Sequence, residues 1–391
     1  MIKIDEKRNC CGCSSCLNAC PKQCIEMKED NEGFLYPQVD VPKCIDCGLC
    51  ERVCPIINKI NTDSTPIAYA CINKNEGIRL QSTSGGVFTI LSENTIKNGG
   101  VVFGAGYDED LKLVHSYTNT VEGLSKFRGS KYEQSKIGET YKRAKEFLEK
   151  DVQVLFSGTP CQIGGIYSYL GKKYDNLLCI DIVCHGVPSP KVFKKYKTGL
   201  EKRFGAKTRK IVFRNKDSGW ARYSVAVSFN NNSEYKKEFT QDIYMRGFLQ
   251  NLYLRPSCYD CRFKTVNRQS DITIADFWGI ENILPKLNDD KGTSLILVNS
   301  TKGKKVFQKL QHKMIAVKVD LDEAIKYNPS ATKSVPLNTN RDKFFEKFNS
   351  SSGDINKLIH KYTKDSFRKR VYGKTRVILS KVKRKLINQQ K

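Results

Sequence analysis

From Ile67 onward the chain alternates short apolar runs with Gly-marked turns and stretches of helical periodicity, the pattern of an α/β body. Three units of it are explicit. Ser82-Thr83-Ser84-Gly85-Gly86 precedes an apolar-periodic stretch, Val87 to Ile96, and Gly99-Gly100 follows it, so Ser and Gly cap a helix that ends in Gly. Val152-Gln153-Val154-Leu155-Phe156 reads as a short buried strand, Ser157-Gly158-Thr159-Pro160-Cys161 as its turn, and Ile163 to Leu170 as a helix. A second strand, Leu177 to Val183, ends at Cys184-His185-Gly186, and a right-handed crossover makes the two strands parallel. Residues 211 to 229 and 293 to 299 add strand-like runs, 302 to 312 looks helical, and beyond about 315 the signal fades. Ahead of this body, Asn58 to Pro66 is polar and ends in proline, which reads as a linker.

Length and composition bound the class. With 391 residues, 39% apolar, 28% charged and a mean hydropathy of −0.49, the chain reads as two or three globular domains rather than a disordered, fibrous or membrane-spanning one. No run approaches the roughly 18 apolar residues of a spanning helix. Met1 to Arg8 leads into cysteines without an apolar stretch of signal-peptide length, so a cytoplasmic location is expected.

Charge is distributed unevenly. The formal net charge is +26, yet residues 1 to 62 carry 8 basic and 9 acidic side chains, a net of −1, whereas 354 to 391 carry 13 basic and 2 acidic, a net of +11. Such a field favours an anionic partner without choosing among them. Ile378, Val382 and Leu386, with Leu379 beside them, oppose Lys381, Lys383, Arg384 and Lys385, the pattern of a basic amphipathic helix. A packed or solvated tail and peripheral contact with the inner membrane face are the readings to weigh; no nucleic-acid-binding motif accompanies it.

Cysteine is the strongest signal. Sixteen cysteines in a chain expected in a reducing compartment point to metal rather than disulfides. Cys10-x2-Cys13-x2-Cys16-x3-Cys20-Pro21 returns 34 residues later as Cys44-x2-Cys47-x2-Cys50-x3-Cys54-Pro55. Three thiolates at i, i+3 and i+6 wrap one [4Fe–4S] cube, while the remote Cys before Pro serves the other. Cys10, Cys13, Cys16 and Cys54 are therefore expected on one cluster, and Cys44, Cys47, Cys50 and Cys20 on the second. Two structural zinc sites are the bland alternative, and they do not explain two complete octets with proline in register. Cys11 and Cys24 are surplus, read as packed or bystander thiols. Cys161 and Cys184, at two strand ends, and the pair Cys258-x2-Cys261 form a second constellation that spacing alone leaves open between a third metal site and core cysteines, the reading given to Cys71 and Cys179.

With these residues assembled, the chain resembles the beta-subunit family of coenzyme F420-reducing hydrogenase and F420-linked dehydrogenases, in its form with an N-terminal two-cluster ferredoxin domain. The resemblance spans residues 1 to about 310. It is carried by the 82–86 segment, Arg128-Gly129-Ser130-Lys131-Tyr132, Ser157-Gly158-Thr159-Pro160-Cys161-Gln162, Cys184-His185-Gly186-Val187-Pro188-Ser189, Ser218-Gly219-Trp220, the Cys258 pair and Ser270 to Gly279. The family usually has Gly where Ala275 stands. The resemblance implies an α+β multidomain fold: a bacterial-type 2[4Fe–4S] ferredoxin domain (1–62), then an α/β flavin-binding body with a parallel or mixed sheet. The body would comprise the family's N-terminal (66–150) and C-terminal (151–312) domains, followed by a basic extension (313–391). It also implies FAD, and a third [4Fe–4S] cluster on Cys161, Cys184, Cys258 and Cys261.

No Gly-x-Gly-x-x-Gly follows a strand, so the pyrophosphate of FAD needs another seat. The helix start at Ser84, Gly85 and Gly86 offers backbone N–H groups and a dipole end, with an ordinary helix cap as the alternative. Gly129, Ser130, Lys131 and Tyr132 offer a cation and a ring; Gly158, Thr159, Asp271 and Asp276 complete the expected cofactor contacts, Asp271 and Asp276 being equally consistent with strand-end caps. Lys131, as a cation beside reduced flavin, and His185, as a proton donor, are the candidate catalytic residues. Against them stand a solvated lysine and a histidine that only bonds a cluster sulfur. Trp220 and Trp278 read as core or pocket walls. The function implied is an iron–sulfur flavoprotein oxidoreductase acting on F420 or another small organic substrate. The alternatives are an electron-transfer subunit without its own substrate and a redox-sensing nucleic-acid binder. Implied partners are a ferredoxin-like donor or acceptor and a partner oxidoreductase or polysaccharide-synthesis enzyme.

Overall fold

The computed structural model describes residues 1–58, 62, 65–351 and 353–363. The amphipathic pattern Ile378 to Leu386 and part of the linker lie outside the described residues.

The cysteine repeat is also a backbone repeat. Gly12 and Asp46 take positive φ (71° and 47°), as do Ser14 and Gly48 (64° and 70°), each pair 34 residues apart. A left-handed residue is the cheapest way to turn a chain tightly around a group, and glycine takes only one of the two positions in each half. Short helices, Ser15–Ala19 and Leu49–Arg52, follow each turn. Between them, β1 (Ile25–Glu29) and β2 (Leu35–Val39) pair antiparallel, Ile25 opposite Val39.

The body is built on β3 (Ile67–Asn73), β4 (Val101–Tyr107), β5 (Leu113–Thr118), β6 (Val154–Gly158), β7 (Leu177–Ile182), β8 (Thr208–Asn215), β9 (Ser224–Phe229), β10 (Glu234–Glu238), β11 (Ile272–Asp276), β12 (Ser294–Val298) and β13 (Met314–Val319). Eight of them form one mixed sheet in the order β13-β3-β12-β11-β7-β6-β4-β5, while β10-β9-β8 make a separate antiparallel sheet. β4, β6, β7 and β11 run parallel, so the ends of β6 and β7 are neighbours, with Gly158 opposite Asp181. The apolar runs of these strands are buried on both faces, as parallel strands require. The helix Pro160–Leu170 starts in a capping box between Thr159 and Gln162, with Pro160 at its first turn, and stops at Gly171.

Two boundaries read from the sequence are crossed by pairing and packing in the fold. Residues 66–150 and 151–312 contribute to one sheet, because β4 pairs with β6 and β3 with β12. Part of 313–391 joins the body as well. β13 closes one edge of the sheet, and Phe344, Phe345, Phe348, Ile355 and Ile359 enter the same core as the helix Pro190–Phe204.

The N-terminal domain is docked on the body. Ser15 Oγ donates to the Gly165 carbonyl at 2.8 Å, and a Cβ at Gly165 would stand 2.9 Å from Cys13 Cβ and 2.7 Å from the Tyr141 hydroxyl. A side-chain-free position on that helix lets the cysteine loop approach. Across the seam Arg341 pairs with Glu32 beyond β1 and also donates to the Leu254 carbonyl.

Candidate functional site

The expected first set of cysteines is gathered at the seam. Cys10, Cys13, Cys16 and Cys54 are close enough that neighbouring thiolate charge raises the pKa of Cys10, Cys16 and Cys54, on top of burial. The second set lies at the far side of the domain. Cys20, Cys44, Cys47 and Cys50 line a cavity of about 350 Å³, open mouth included, together with Cys24, and Cys47 is exposed. The backbone N–H of Ile2 reaches Cys50 Sγ at 3.2 Å, and that of Cys24 reaches Cys20 Sγ at 3.4 Å. Amides aimed at sulfur suit thiolate ligands, whose charge they stabilise.

The four later cysteines also converge. Cys161, in the first turn of the helix after β6, Cys184, just beyond β7, and Cys258 and Cys261, from the loop near 256–261, all line one cavity of about 780 Å³ with its mouth. Val187 N–H points at Cys258 Sγ at 3.4 Å. Burial pushes Cys184 well up and Cys258 up to about 12. Thr159 Oγ1 stands 3.1 Å from Cys161 Sγ, and Lys264 donates to the carbonyls of Cys184 and His185. Among the described residues, no three His, Cys, Asp or Glu side chains close on one point as a single ion would need.

Cys11, read from the sequence as surplus, joins the two sites. It is buried, lines the larger cavity, and packs in one cluster with Cys13 and Cys54 of the first set and Cys161 and Cys261 of the later one. The neighbouring Cys11 thiol holds Cys13 down to about 7 and Cys161 below the ordinary thiol value. Cys24 sits likewise against Cys20, 3.3 Å away, in the second cavity. Only the three-dimensional packing reveals either position, since neither belongs to a spaced motif.

The expected flavin residues separate into groups. Thr83 and Ser130 meet: Ser130 N–H donates to Thr83 Oγ1 at 2.7 Å, joining the 82–86 and 128–132 segments. Ser84 Oγ donates to the Thr293 carbonyl and Gly85 N–H to Ser294 Oγ, so both are committed to the sheet edge. Gly86, at φ 82°, precedes the helix Val87–Lys97, whose first turn has no side-chain cap. Beyond Gly129 there is open space. Lys131 Nζ donates to the carbonyls of Phe127, Arg128 and Gly129, and burial pulls its pKa down to about 7. Tyr132 packs on Phe213 and Phe248. Asp276, at the end of β11, accepts from Trp220 Nε1 at 3.0 Å and pairs with Arg214, beside the stacked rings of Trp220 and Trp278.

The remaining candidates lie elsewhere. Gly158 and Thr159 belong to the cysteine cavity's side of the sheet edge, with Cys161. His185 lines that cavity, with Nε2 2.7 Å from Asn251 Oδ1 and a pKa lowered by burial. Asp271 is a correction. It precedes β11, at the end of that strand away from Asp276, and its carboxylate is taken by Cys179 N–H, Ser300 Oγ and Tyr167 OH, so it links strands rather than facing a cofactor.

Comparison with known proteins supplies the family. Residues 9–57 match the family described as 4Fe-4S dicluster domain, and residues 151–323 match the family described as the C terminus of the coenzyme F420 hydrogenase/dehydrogenase beta subunit. The 7Fe ferredoxin of Hydrogenibacillus schlegelii is 42% identical over 63 residues, 16% of this chain and 74% of the ferredoxin. Subunit I of the NADH-quinone oxidoreductase of Pelobacter propionicus is 34% identical over 62 residues, and the match spans only 33% of that subunit and 14% of this chain. A solved structure of the F420-reducing [NiFe] hydrogenase complex from Methanosarcina barkeri superimposes with a TM-score of 0.46 at 15% identity, over 74% of this chain and 95% of the other. Among the described residues, no helix is long and apolar enough to cross a membrane. The chain is an iron–sulfur electron-transfer protein that carries a 4Fe-4S dicluster domain at residues 9–57 and, over residues 151–323, the C-terminal domain of the coenzyme F420 hydrogenase/dehydrogenase beta-subunit family.

Proposed function

We propose that this chain is an oxidoreductase that moves electrons between an outside partner, met at the second cysteine set, and FAD in the body, where coenzyme F420 or another small organic molecule is the substrate. The observation that carries the reading is the continuity of the path: Cys47 is exposed, the first set lies at the seam with Cys13 buried, and Cys11 packs in one cluster with Cys13, Cys54, Cys161 and Cys261. On this reading Cys10, Cys13, Cys16 and Cys54 hold one [4Fe–4S] cluster, Cys20, Cys44, Cys47 and Cys50 a second, and Cys161, Cys184, Cys258 and Cys261 a third. When bound, the clusters supply single-electron transfer, and flavin the interchange of a hydride with single electrons.

The chain's own residues do the rest. The joined 82–86 and 128–132 segments and the uncapped start of the helix Val87–Lys97 offer N–H groups to a pyrophosphate. Lys131, held by three carbonyls, presents a positive charge where anionic flavin would be stabilised, and an anion there would draw its pKa back up. His185, neutral when buried, is kept in one orientation by Asn251 and can pass a proton at Nε2 or Nδ1. The partner is of ferredoxin type or a subunit of a larger oxidoreductase.

The test is anaerobic purification with FAD present. One noncovalent FAD per chain is expected, together with reduction of F420 or a comparable acceptor by a viologen-reduced sample. Folded, cluster-replete protein that takes up no FAD would remove the flavin. FAD-replete protein that passes electrons only to another protein would favour a subunit without its own substrate.

A further inference from the structure

Five arginines of the described chain are buried, and four of them have a carboxylate. Arg79 pairs with Asp289, Arg214 with Asp276, Arg268 with Asp181 and Arg341 with Glu32. Arg255 is 0% exposed and, among the described residues, has no ion-pair partner. A guanidinium stripped of water and left uncompensated is costly, so a buried one implies an anion nearby.

What Arg255 faces is the first cysteine set. Its Nε donates to the Cys10 carbonyl at 2.8 Å, Nη1 to Gln134 Oε1 at 3.0 Å, and Nη2 to the Leu35 carbonyl at 3.0 Å, while Nη2 also stands 3.5 Å from Cys10 Sγ. The Tyr36 ring covers it at 4.3 Å. Its own backbone is pinned on the other side, with N–H to the Val187 carbonyl and carbonyl to Cys258 N–H, both 2.9 Å. All these neutral acceptors leave its charge uncancelled.

We propose that Arg255 is the counter-cation of the cluster on Cys10, Cys13, Cys16 and Cys54, and that it raises that cluster's reduction potential above that of the second set. The proposal rests on the ligand assignment above. Reduction adds one electron and no proton, so the extra negative charge is stabilised by a fixed cation that donates toward a ligand sulfur. Backbone amides reach sulfurs in both sets, so the fully buried guanidinium is what sets the first apart.

The experiment is an EPR-monitored redox titration of the whole protein, wild type against Arg255→Gln and Arg255→Lys. In Arg255→Gln, with iron content unchanged, one of the two ferredoxin-type signals should lose about tenfold in its reduced-to-oxidised ratio at fixed poise, equivalent to about 59 mV downward for a one-electron couple. The other signal should stay in place, and Arg255→Lys should shift less. Full iron with both midpoints unmoved overturns the role. Should Arg255→Gln fail to fold, wild-type protein grown on 15N-arginine serves: a weak 15N coupling on one reduced ferredoxin signal supports the contact, and its absence on both overturns it. Cys10→Ser separates the two levels, since a variant that keeps all its iron would overturn the ligand assignment itself.

Discussion

The two halves of the N-terminal repeat share spacing, proline and even left-handed turns, yet they live in different surroundings. The first half is pressed against the body through Ser15, Gly165 and Arg255, and Cys13 is buried. The second half faces outward, with Cys47 exposed and Ile45, Val41 and Met1 beside it also exposed. A ligand pattern thus specifies what is held, and the packing around it specifies where an electron can come from and go to. One motif used twice gives one inside station and one outside station.

The largest effect should come from cutting the tie that docks the N-terminal domain through its β1–β2 turn. Arg341→Ala leaves Glu32 without its partner and frees the Leu254 carbonyl, at a cost of about 3–5 kcal/mol for a broken buried pair. Denaturant unfolding should show that loss, and iron of the first set should become as accessible to a chelator as that of the second. Overpacking the seam comes next. Gly165→Ala puts a methyl within 3 Å of Cys13 and Tyr141, so about 1–3 kcal/mol should be lost. The control is Gly199→Ala, in a helix with nothing within 4 Å, which should gain about 0.5–1 kcal/mol. In wild-type protein, chelation or mild oxidation should be biphasic, about four irons leaving first from the Cys47 side. A single uniform phase would erase the inside–outside distinction.

The smallest effect is a slope. Glu133, beside Tyr132, is raised by burial to about 8, and its Oε2 has no hydrogen-bond partner. The folded state therefore holds a proton there that the unfolded chain releases, so stability is full below the ordinary value of 4.5 and falls as pH rises toward 8. Glu133→Gln should flatten the stability profile across that window.

Much of this was legible beforehand. The octets, the strand–helix–strand unit ending at Cys161 and Cys184, and the helix after Gly86 followed from spacing and periodicity, because each is a local device. Three things were not. β13 and the helices Arg341–Ser350 and Ile355–Tyr362 carry mixed, charge-rich patterns whose apolar residues make sense only against a partner face. The single sheet shared by residues 66–150 and 151–312 depends on long-range pairing of β3 with β12, which leaves no local mark. Cys11 gains its meaning from a neighbour 150 residues away and Arg255 from one 245 away, and the only hint in the chain is that Arg255 stands three residues before Cys258. Asp271 misled for the opposite reason, since strand-flanking acids look alike whether they face a cavity or tie two strands.

The central claim is that the later cysteines form a third cluster site continuous with the first ferredoxin set. Iron and acid-labile sulfide should be counted in anaerobic wild-type protein and in Cys258→Ser. About twelve of each per chain, falling to about eight in the variant with the ferredoxin signals intact, is the predicted result. About eight in both proteins would contradict it.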